Sequence, residues 1–313
     1  MFVLDSHCDT PSEIVRGRDF LVDNPGAHVD FPKICRSNVD GAFFALYVPA
    51  SLDEDEAMAC AMRQYDSVMS LILENKDKVA LTLTERQARR NKADGLFSVF
   101  LGLENGSPIG RSIENLKMFY DRGVRYVTLC HSEDNQICDS CASENKRWGG
   151  LSPFGKELVR EMNRLGILVD VSHISDASFY DVLDCSSKPV VATHSCCRTL
   201  CRHPRNMTDD MIRALAGNGG VIQINFYPLF LDEGNSHAVS FSRIADHIDH
   251  AVSLVGMDCV GIGSDFDGID VTPQGMEDIS MMPKLFEELF RRGYSEQDVV
   301  KIAGGNFFRV MGA

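Results

Sequence analysis

The sequence predicts a (β/α)8 (TIM) barrel, and three observations support this fold class. Eight short apolar segments recur along the 313 residues, helical patterns lie between several of them, and polar side chains follow the apolar segments. Strands covered by helices on both faces are continuously apolar, and alternation of such strands with helices is typical of a parallel barrel. The chain is expected to form one domain over residues 1–313, because this fold commonly takes about 250 residues or more.

The predicted strands are short, nearly continuous in apolar character, and rich in β-branched and aromatic residues, as buried parallel strands are. In chain order they span residues 1–7, 41–48, 96–105, 124–131, 166–173, 189–195, 219–227 and 259–267.

Helical patterns separate several of these strands. Residues 53–76 have acidic side chains in the first turn and apolar positions at helical spacing. Residues 153–166 begin with proline and end with glycine, and residues 208–219 open with Thr208 as the expected N-cap. Residues 241–256 form a fourth predicted helix.

Composition excludes some functional classes. The chain is 44% hydrophobic, enough for a large core, and 31 basic against 45 acidic residues give a net charge of −14. Neither a nucleic acid nor an anionic membrane is an expected partner, because both require a basic surface. The chain starts directly with a predicted core strand, lacks a signal-peptide pattern, and contains no stretch of ~18 uninterrupted apolar residues. With eleven cysteines, an odd number, reduced thiols and a cytoplasmic location are expected.

Polar residues able to bind a metal ion stand where the predicted strands end. His7 and Asp9 follow the first strand, Glu104 the third and His131 the fourth. His173, His194 and Asp265 follow the fifth, sixth and eighth strands. Alternation along a strand places His7 and Asp9 on the same side. Because active sites of such barrels form at the carboxyl ends of the strands, we expect these side chains to converge at one mouth.

The number of candidate ligands exceeds what one tetrahedral zinc ion needs, and it suits two cations about 3.5 Å apart. The natural assignment gives one ion His7 and Asp9, gives the other His173 and His194, and leaves Glu104 to bridge them. Two cations would lower the pKa of a shared water and generate a hydroxide nucleophile, which is hydrolase chemistry.

Two further residues have predicted roles in catalysis. Asp265 is not needed as a ligand, so it is expected to take a proton from the water and pass it to a leaving amine. Asp267, two residues later in "SDFDG", is the alternative for this role. His131 remains to polarise the scissile carbonyl or to stabilise the oxyanion.

With these residues in place, the chain resembles the membrane dipeptidases, also called renal or microsomal dipeptidases, of the binuclear-zinc amidohydrolase superfamily. The resemblance covers nearly the whole chain, in "DSHCDTP", "GLENG", "GLSPFGKELVREMNRLGILVDVSHISD", "THSCCR…HPRNMTDD", "GIGSDFDGI" and "LFRRGYSEQDVVKIAGGNFFRVM". It implies a zinc-dependent dipeptidase with two zinc ions per chain, held by His7, Asp9, the bridging Glu104, His173 and His194. It also implies that Asp265 is the catalytic aspartate and that His131 engages the substrate carbonyl.

The resemblance further implies how the substrate binds. Arg205, in "HPRN", falls on the arginine that holds the C-terminal carboxylate of the dipeptide, which suits a guanidinium fork. Arg198 and Arg202 are the nearby alternatives. Dipeptides with L,L and with L,D configuration are the expected substrates, and a homodimer is possible. The loop 133–148 differs from the usual family form, so side-chain specificity is the least transferable property.

Two alternative functions are compatible with the same sequence. Another amidohydrolase reaction, by a lactonase, a deaminase or an N-acyl amino acid deacylase, could use the same site. A non-catalytic zinc or redox protein could instead be built on the cysteines of "CDSC" (138–141) and "CCRTLC" (196–201). His247 and His250 are spaced for one face of a predicted helix, where a structural role is favoured over metal binding.

Overall fold

Parallel strands form a nearly closed barrel in a computed structural model that describes residues 1–234 and 236–312. The strands are β1 (Leu4–Cys8), β2 (Gly41–Tyr47), β3 (Val79–Leu81), β4 (Phe97–Glu104), β5 (Val124–Thr128), β6 (Leu168–Asp170), β7 (Val191–Ser195), β8 (Val221–Ile224) and β9 (Val260–Ile262). Eight of them follow the order β1-β2-β4-β5-β6-β7-β8-β9, and every pairing is parallel. The predicted fold class is confirmed.

The barrel closes just beyond the ladders of its first and last strands. Cys8 forms an isolated parallel bridge with Phe266, and the Asp9 amide donates to the Phe266 carbonyl at 2.8 Å. The Asp265 amide donates to the carbonyl of His7 at 3.0 Å. The seam of the barrel therefore lies beside three of the predicted site residues.

The ninth strand, β3, was not predicted. It pairs with Phe97–Val99 at the start of β4. From Leu101 onward, the same edge of β4 pairs with β5 instead. A strand of three residues carries too little periodicity to be recognised from sequence alone.

Helices surround the barrel. They are α1 (Thr10–Val15), α2 (Phe31–Ser37), α3 (Glu54–Glu74), α4 (Glu85–Ala93), α5 (Ile113–Asp121), α6 (Pro153–Leu165), α7 (Asp176–Cys185), α8 (Asp209–Gly217), α9 (Pro228–Leu231), α10 (Ser242–Val255), α11 (Met282–Arg291), α12 (Glu296–Val300) and α13 (Asn306–Met311). The four predicted helices correspond to α3, α6, α8 and α10. Thr208 caps α8 as predicted, since its side chain accepts from the Met211 amide. Within the described residues, no helix is both long and apolar enough to cross a membrane.

An aromatic cluster fills the barrel below the polar mouth. Phe43 stacks on Phe100 with ring centroids 4.8 Å apart, and it also contacts Tyr126 and Phe307. These rings are fully buried, and α13 covers them from the amino-terminal side. The polar mouth therefore rests on a rigid apolar layer, which limits how far its side chains can move.

Gly102 makes room for Tyr126, whose hydroxyl lies 2.8 Å from Nδ1 of His7. A Cβ atom at position 102 would lie 2.2 Å from Cζ of Tyr126. We therefore expect Gly102→Ala to lower the free energy of unfolding by about 1–3 kcal/mol through overpacking. Denaturant unfolding measures this effect. Gly217→Ala is the matched control, because its Cβ would meet no atom within 4 Å. Equal stability of the two variants would contradict the packing argument.

Candidate active site

The predicted site residues meet at the carboxyl-terminal mouth of the barrel. A cavity of about 520 Å³ opens there, and its lining includes Asp9, Glu104, His131, His173, Arg205 and Asp265. His7 and His194 are fully buried and contact the lining residues. All eight candidate residues thus belong to one site.

Glu104, the last residue of β4, lies at the centre of this site and is 3% exposed. Its Oε2 atom is 3.4 Å from Nε2 of His7. Its Oε1 atom is 3.2 Å from Nε2 of His173 and 3.5 Å from Nε2 of His194. The two oxygens of one carboxylate therefore face two separate sets of imidazoles, which is the arrangement that a bridging ligand requires.

The remaining predicted ligand, Asp9, follows β1 directly. Its Oδ2 atom is 3.5 Å from Nε2 of His7. Potential ligand atoms lie within 4.8 Å of one another in three overlapping groups: His7, Glu104 and His194; Glu104, His131 and His173; and His7, Asp9 and Asp265. Histidine nitrogens and carboxylate oxygens in such groups suit zinc and other divalent transition metals.

The polar atoms of the site fit a bound cation. Nε2 of His7 and Oδ1 of Asp9 are buried and make no hydrogen bond within the part of the chain that the structure describes. Leaving a buried polar group without a partner costs about 1–3 kcal/mol. The Nε2 atoms of His173 and His194 also converge, at 2.8 Å. Divalent metal ions would satisfy all four groups.

The electrostatics of the site also favour a cation. Burial alone would lower the pKa of His7, but the carboxylates of Glu104 and Asp9 outweigh it and raise that pKa well above its usual value. Burial, reinforced by the charge of Glu104, raises the pKa of Asp9 to about 7. Burial lowers the pKa of His173 and of His194 well below the usual range. The carboxylates around His7 thus favour positive charge at that position, and His173 and His194 are held in the uncharged form in which an imidazole binds metal.

Two of the site residues have unusual backbone conformations. His173 has φ of +70° and Asp265 has φ of +64°, in the left-handed region that non-glycine residues seldom adopt. Such conformations cost of order 1–3 kcal/mol and concentrate at functional sites. His173 lies three residues beyond β6, and the predicted strand 166–173 therefore extended too far. The sharp turn directs its imidazole toward Glu104.

Asp265 and Asp267 occupy different environments. Oδ1 of Asp265 lies 4.0 Å from Nε2 of His7. Oδ2 of Asp265 accepts a hydrogen bond from the side-chain amide of Asn225 at 2.8 Å. The carboxylate of Asp267 instead accepts from Arg18 at 2.6 Å and from Thr10 at 2.9 Å. Burial raises the pKa of Asp265. Asp265 is thus the aspartate that lies beside the candidate ligands.

His131 lies in the loop after β5, because the strand ends at Thr128 and not at the predicted residue 131. Its ring packs edge-on against Tyr47, and its Nε2 is 3.9 Å from Oε1 of Glu104. Burial and the charge of Arg205 lower the pKa of His131 to about 4. The imidazole is therefore neutral at physiological pH and retains one N–H donor.

Arg205 is the arginine that lines the cavity. It is 8% exposed, and one Nη donates to the His194 carbonyl at 3.1 Å. Its Nε and other Nη are buried and have no partner among the described residues, and its guanidinium lies over the Phe230 ring. Arg198 is engaged by Asp176 through two 2.7 Å bonds. The side chain of Arg202 is 86% exposed.

The residues behind the ligands escaped sequence reasoning. Tyr126 contacts His7, Thr193 contacts His194, and Asn225 contacts Asp265. Asp170 accepts a hydrogen bond from Thr193 in turn. All four residues are polar side chains inside the apolar predicted strands and not at their predicted ends.

The rival ligand candidates have other partners. Nδ1 of His247 accepts from the Cys197 amide at 3.0 Å, and its Nε2 lies 3.0 Å from the Leu231 carbonyl. His250 pairs with Asp209 on α8. All eleven cysteines are free thiols, and the three ligand groups consist of histidine, aspartate and glutamate.

Known proteins are similar to the chain over its whole length. The profile of the membrane dipeptidase family, peptidase family M19, matches residues 1–313. Dipeptidase aclJ of Aspergillus oryzae (strain ATCC 42149 / RIB 40) is 37% identical over 292 residues, 91% of this chain and 69% of that protein. Dipeptidase verJ of Clonostachys rogersoniana is 36% identical over 295 residues, 91% of this chain and 75% of that protein.

Solved structures share the fold. A dipeptidase AC of family M19 superposes with a TM-score of 0.93 at 27% identity, covering 99% of this chain and 98% of that one. A metallopeptidase from Rhodobacter sphaeroides, liganded with a phosphinate mimic of the dipeptide L-Ala-D-Ala, gives 0.93 at 26% identity, with 100% and 99% coverage.

The family resemblance found in the sequence is therefore confirmed. The match of the family profile to the entire chain agrees with relatives above 30% identity that carry the name dipeptidase. The protein is a peptide-bond hydrolase, and the chain belongs to the membrane dipeptidase family, peptidase family M19.

Proposed function

We propose that this dipeptidase depends on two zinc ions and hydrolyses both L,L- and L,D-dipeptides. The observation that carries the proposal is the position of Glu104, whose two oxygens face His7 on one side and His173 and His194 on the other. The residues that would hold the ions are His7, Asp9, Glu104, His173 and His194. When bound, such ions supply Lewis acidity that polarises a carbonyl and lowers the pKa of water.

Asp265 serves as the general base and acid in this proposal. Its carboxylate is near the ligands, and the Asn225 amide fixes its orientation. It accepts a proton from the attacking water and delivers it to the departing nitrogen of the peptide bond. Burial raises the pKa of Asp265, which is the direction that general acid–base catalysis near neutral pH requires.

His131 and Arg205 orient the substrate. The neutral imidazole of His131 donates a hydrogen bond to the carbonyl oxygen, where negative charge develops during attack. The guanidinium of Arg205, with unpartnered Nε and Nη donors, binds the C-terminal carboxylate through charge-assisted hydrogen bonds. A longer peptide would not place its terminal carboxylate there, so the arginine selects for dipeptides.

The stereochemical part of the proposal rests on the structural neighbour from Rhodobacter sphaeroides, which is liganded with a mimic of L-Ala-D-Ala. That protein and this chain share the fold over their full lengths. L-Ala-L-Ala and L-Ala-D-Ala are therefore the substrates to compare first.

Metal removal tests the proposed function. Elemental analysis of the purified protein should give two zinc ions per chain. Dialysis against a chelator should abolish alanine release from both dipeptides, and added zinc should restore it. N-acetyl-alanine and a lactone are the control substrates, because a deacylase or a lactonase would prefer them to a free dipeptide. Dipeptide hydrolysis unaffected by the chelator would refute the proposal.

Removal of the guanidinium of Arg205 should affect binding more than turnover. We expect Arg205→Met to raise KM for L-Ala-L-Ala by roughly 10- to 100-fold, since hydrogen bonds to charged groups contribute about 1.5–3 kcal/mol. Steady-state kinetics with the dipeptide and its C-terminal amide measure the effect. The wild type should prefer the free carboxylate, and the variant should not. Arg202→Met is the control, and an equal effect there would contradict the assignment.

A further inference from the structure

A buried carboxylate lies beneath the metal ligands. Asp170, at the end of β6, is fully buried and accepts four hydrogen bonds. The hydroxyls of Thr128 and Thr193 donate to its Oδ2 at 2.6 and 2.7 Å. The amides of Ser172 and Thr193 donate to its Oδ1 at 3.0 and 2.9 Å. Four donors match the acceptor capacity of an ionised carboxylate, which has no proton of its own to donate.

The hydroxyl group of Thr193 has a single proton. It donates this proton to the Asp170 carboxylate, because a carboxylate can only accept a hydrogen bond. The same hydroxyl oxygen lies 2.8 Å from Nδ1 of His194. Because the Thr193 proton is already used, the Thr193 oxygen can only accept a hydrogen bond from His194. Nδ1 of His194 must therefore carry the imidazole proton. A neutral imidazole with its proton on Nδ1 has a free lone pair on Nε2.

We propose that Asp170 is a positioning residue that, through Thr193, keeps the proton of His194 on Nδ1 and presents Nε2 as a metal ligand. Nε2 of His194 is 3.5 Å from Oε1 of Glu104 and 2.8 Å from Nε2 of His173. The inference rests on the proposed function, because the lone pair on Nε2 of His194 serves metal binding there. The position of the proton on Nδ1 does not itself depend on a metal ion.

The substitution Asp170→Asn should move the imidazole proton of His194 from Nδ1 to Nε2. The amides of Ser172 and Thr193 require an acceptor at the Oδ1 position, so the Asn carbonyl must occupy it. The NH2 group then faces the two threonine hydroxyls and donates to them. The hydroxyl of Thr193 turns its proton toward Nδ1 of His194, and the imidazole proton moves to Nε2, where it blocks metal binding.

Nuclear magnetic resonance observes the proton directly. Long-range ¹H–¹⁵N correlation of the metal-free, histidine-labelled protein separates the two tautomers, and His194→Gln identifies the resonance by its loss. The wild type should carry the proton on Nδ1, and Asp170→Asn should carry it on Nε2. A wild-type proton on Nε2, or an unchanged tautomer in a folded Asp170→Asn variant, would overturn the proposal.

Two matched variants decide the question if Asp170→Asn does not fold. Thr193→Val and Thr128→Val each remove one hydroxyl that donates to the same oxygen of Asp170, and both threonines are fully buried. Only Thr193 contacts His194. Zinc affinity, measured by competition with a chelator, should fall about 10- to 100-fold in Thr193→Val. Thr128→Val should stay within about threefold, and Thr193→Ser should restore affinity.

The outcomes separate the two proposals. Equal losses in both valine variants, or failure of Thr193→Ser to restore affinity, would assign Asp170 a packing role and overturn the inference. A wild type that binds no zinc would refute the proposed metal dependence, and the tautomer spectrum of the same protein would still decide the role of Asp170.

Discussion

Substitution of Glu104 by glutamine is expected to remove metal binding on at least one side of the site. An amide has a single carbonyl oxygen, so it cannot face both His7 and the His173–His194 pair as the carboxylate does. Its NH2 group would point two donors at the positions proposed for the cations. We expect fewer than two zinc ions per chain and a fall in kcat/KM of roughly 10³-fold or more, since Lewis acidity contributes several kcal/mol.

Elemental analysis and steady-state kinetics on the same preparation measure both effects. Glu288→Gln is the control, because Glu288 is also buried, at 7% exposure, and neither it nor its partners Arg291 and Arg292 line the cavity. The control should keep both ions and its activity even where it loses stability. A Glu104→Gln enzyme with two ions and near-normal turnover would rule out the bridging role.

Asp265→Asn is expected to separate catalysis from metal binding. Asparagine keeps the size of the side chain and an oxygen for the Asn225 bond, but it cannot take up a proton. We expect kcat to fall about 10²- to 10⁴-fold, the usual contribution of a general acid–base group. Zinc content and KM should change little. Loss of an ion in this variant would identify Asp265 as a ligand, in keeping with its proximity to His7 and Asp9.

The neighbouring aspartate provides the matched control for this variant. Asp267 binds Arg18, Thr10 and the His28 amide, so it joins the loop after β9 to the segment after β1. Asp267→Asn should therefore lower the unfolding free energy and leave kcat per folded molecule nearly unchanged. The opposite pattern, with normal stability and a large loss of kcat, would move the proton-transfer role to Asp267.

Most of the barrel could be predicted because its strands are covered on both faces. That environment leaves continuous apolar runs in the sequence, as in β2 and β4, where nearly every residue is buried. The strand β3 left no such run, since its pairing with β4 is a tertiary contact made by three residues. Strand ends were predicted less accurately because buried apolar residues, Leu129 and Cys130 after β5 and Val171 after β6, continue the apolar runs into the turns before His131 and His173.

The grouping of the candidate ligands could be predicted for a similar reason. Their residue types and their positions after successive strands are local properties of the sequence, and the fold brings such positions together. The distinction between Asp265 and Asp267 is not local, because it depends on Arg18 at the other end of the chain. The hydrogen bond from Thr193 to Asp170 likewise joins two strands, so no segment of sequence contains it.

The seam between Cys8 and Phe266 has a consequence for biosynthesis. His7 leaves the ribosome well before Asp265 and the bridge that closes the cylinder. A nascent chain that stops short of this segment cannot assemble the centre, and neither can a proteolytic fragment without it. Hydrolytic competence therefore depends on synthesis of the segment around Phe266, and a chain that ends before it has no means of cleaving peptides.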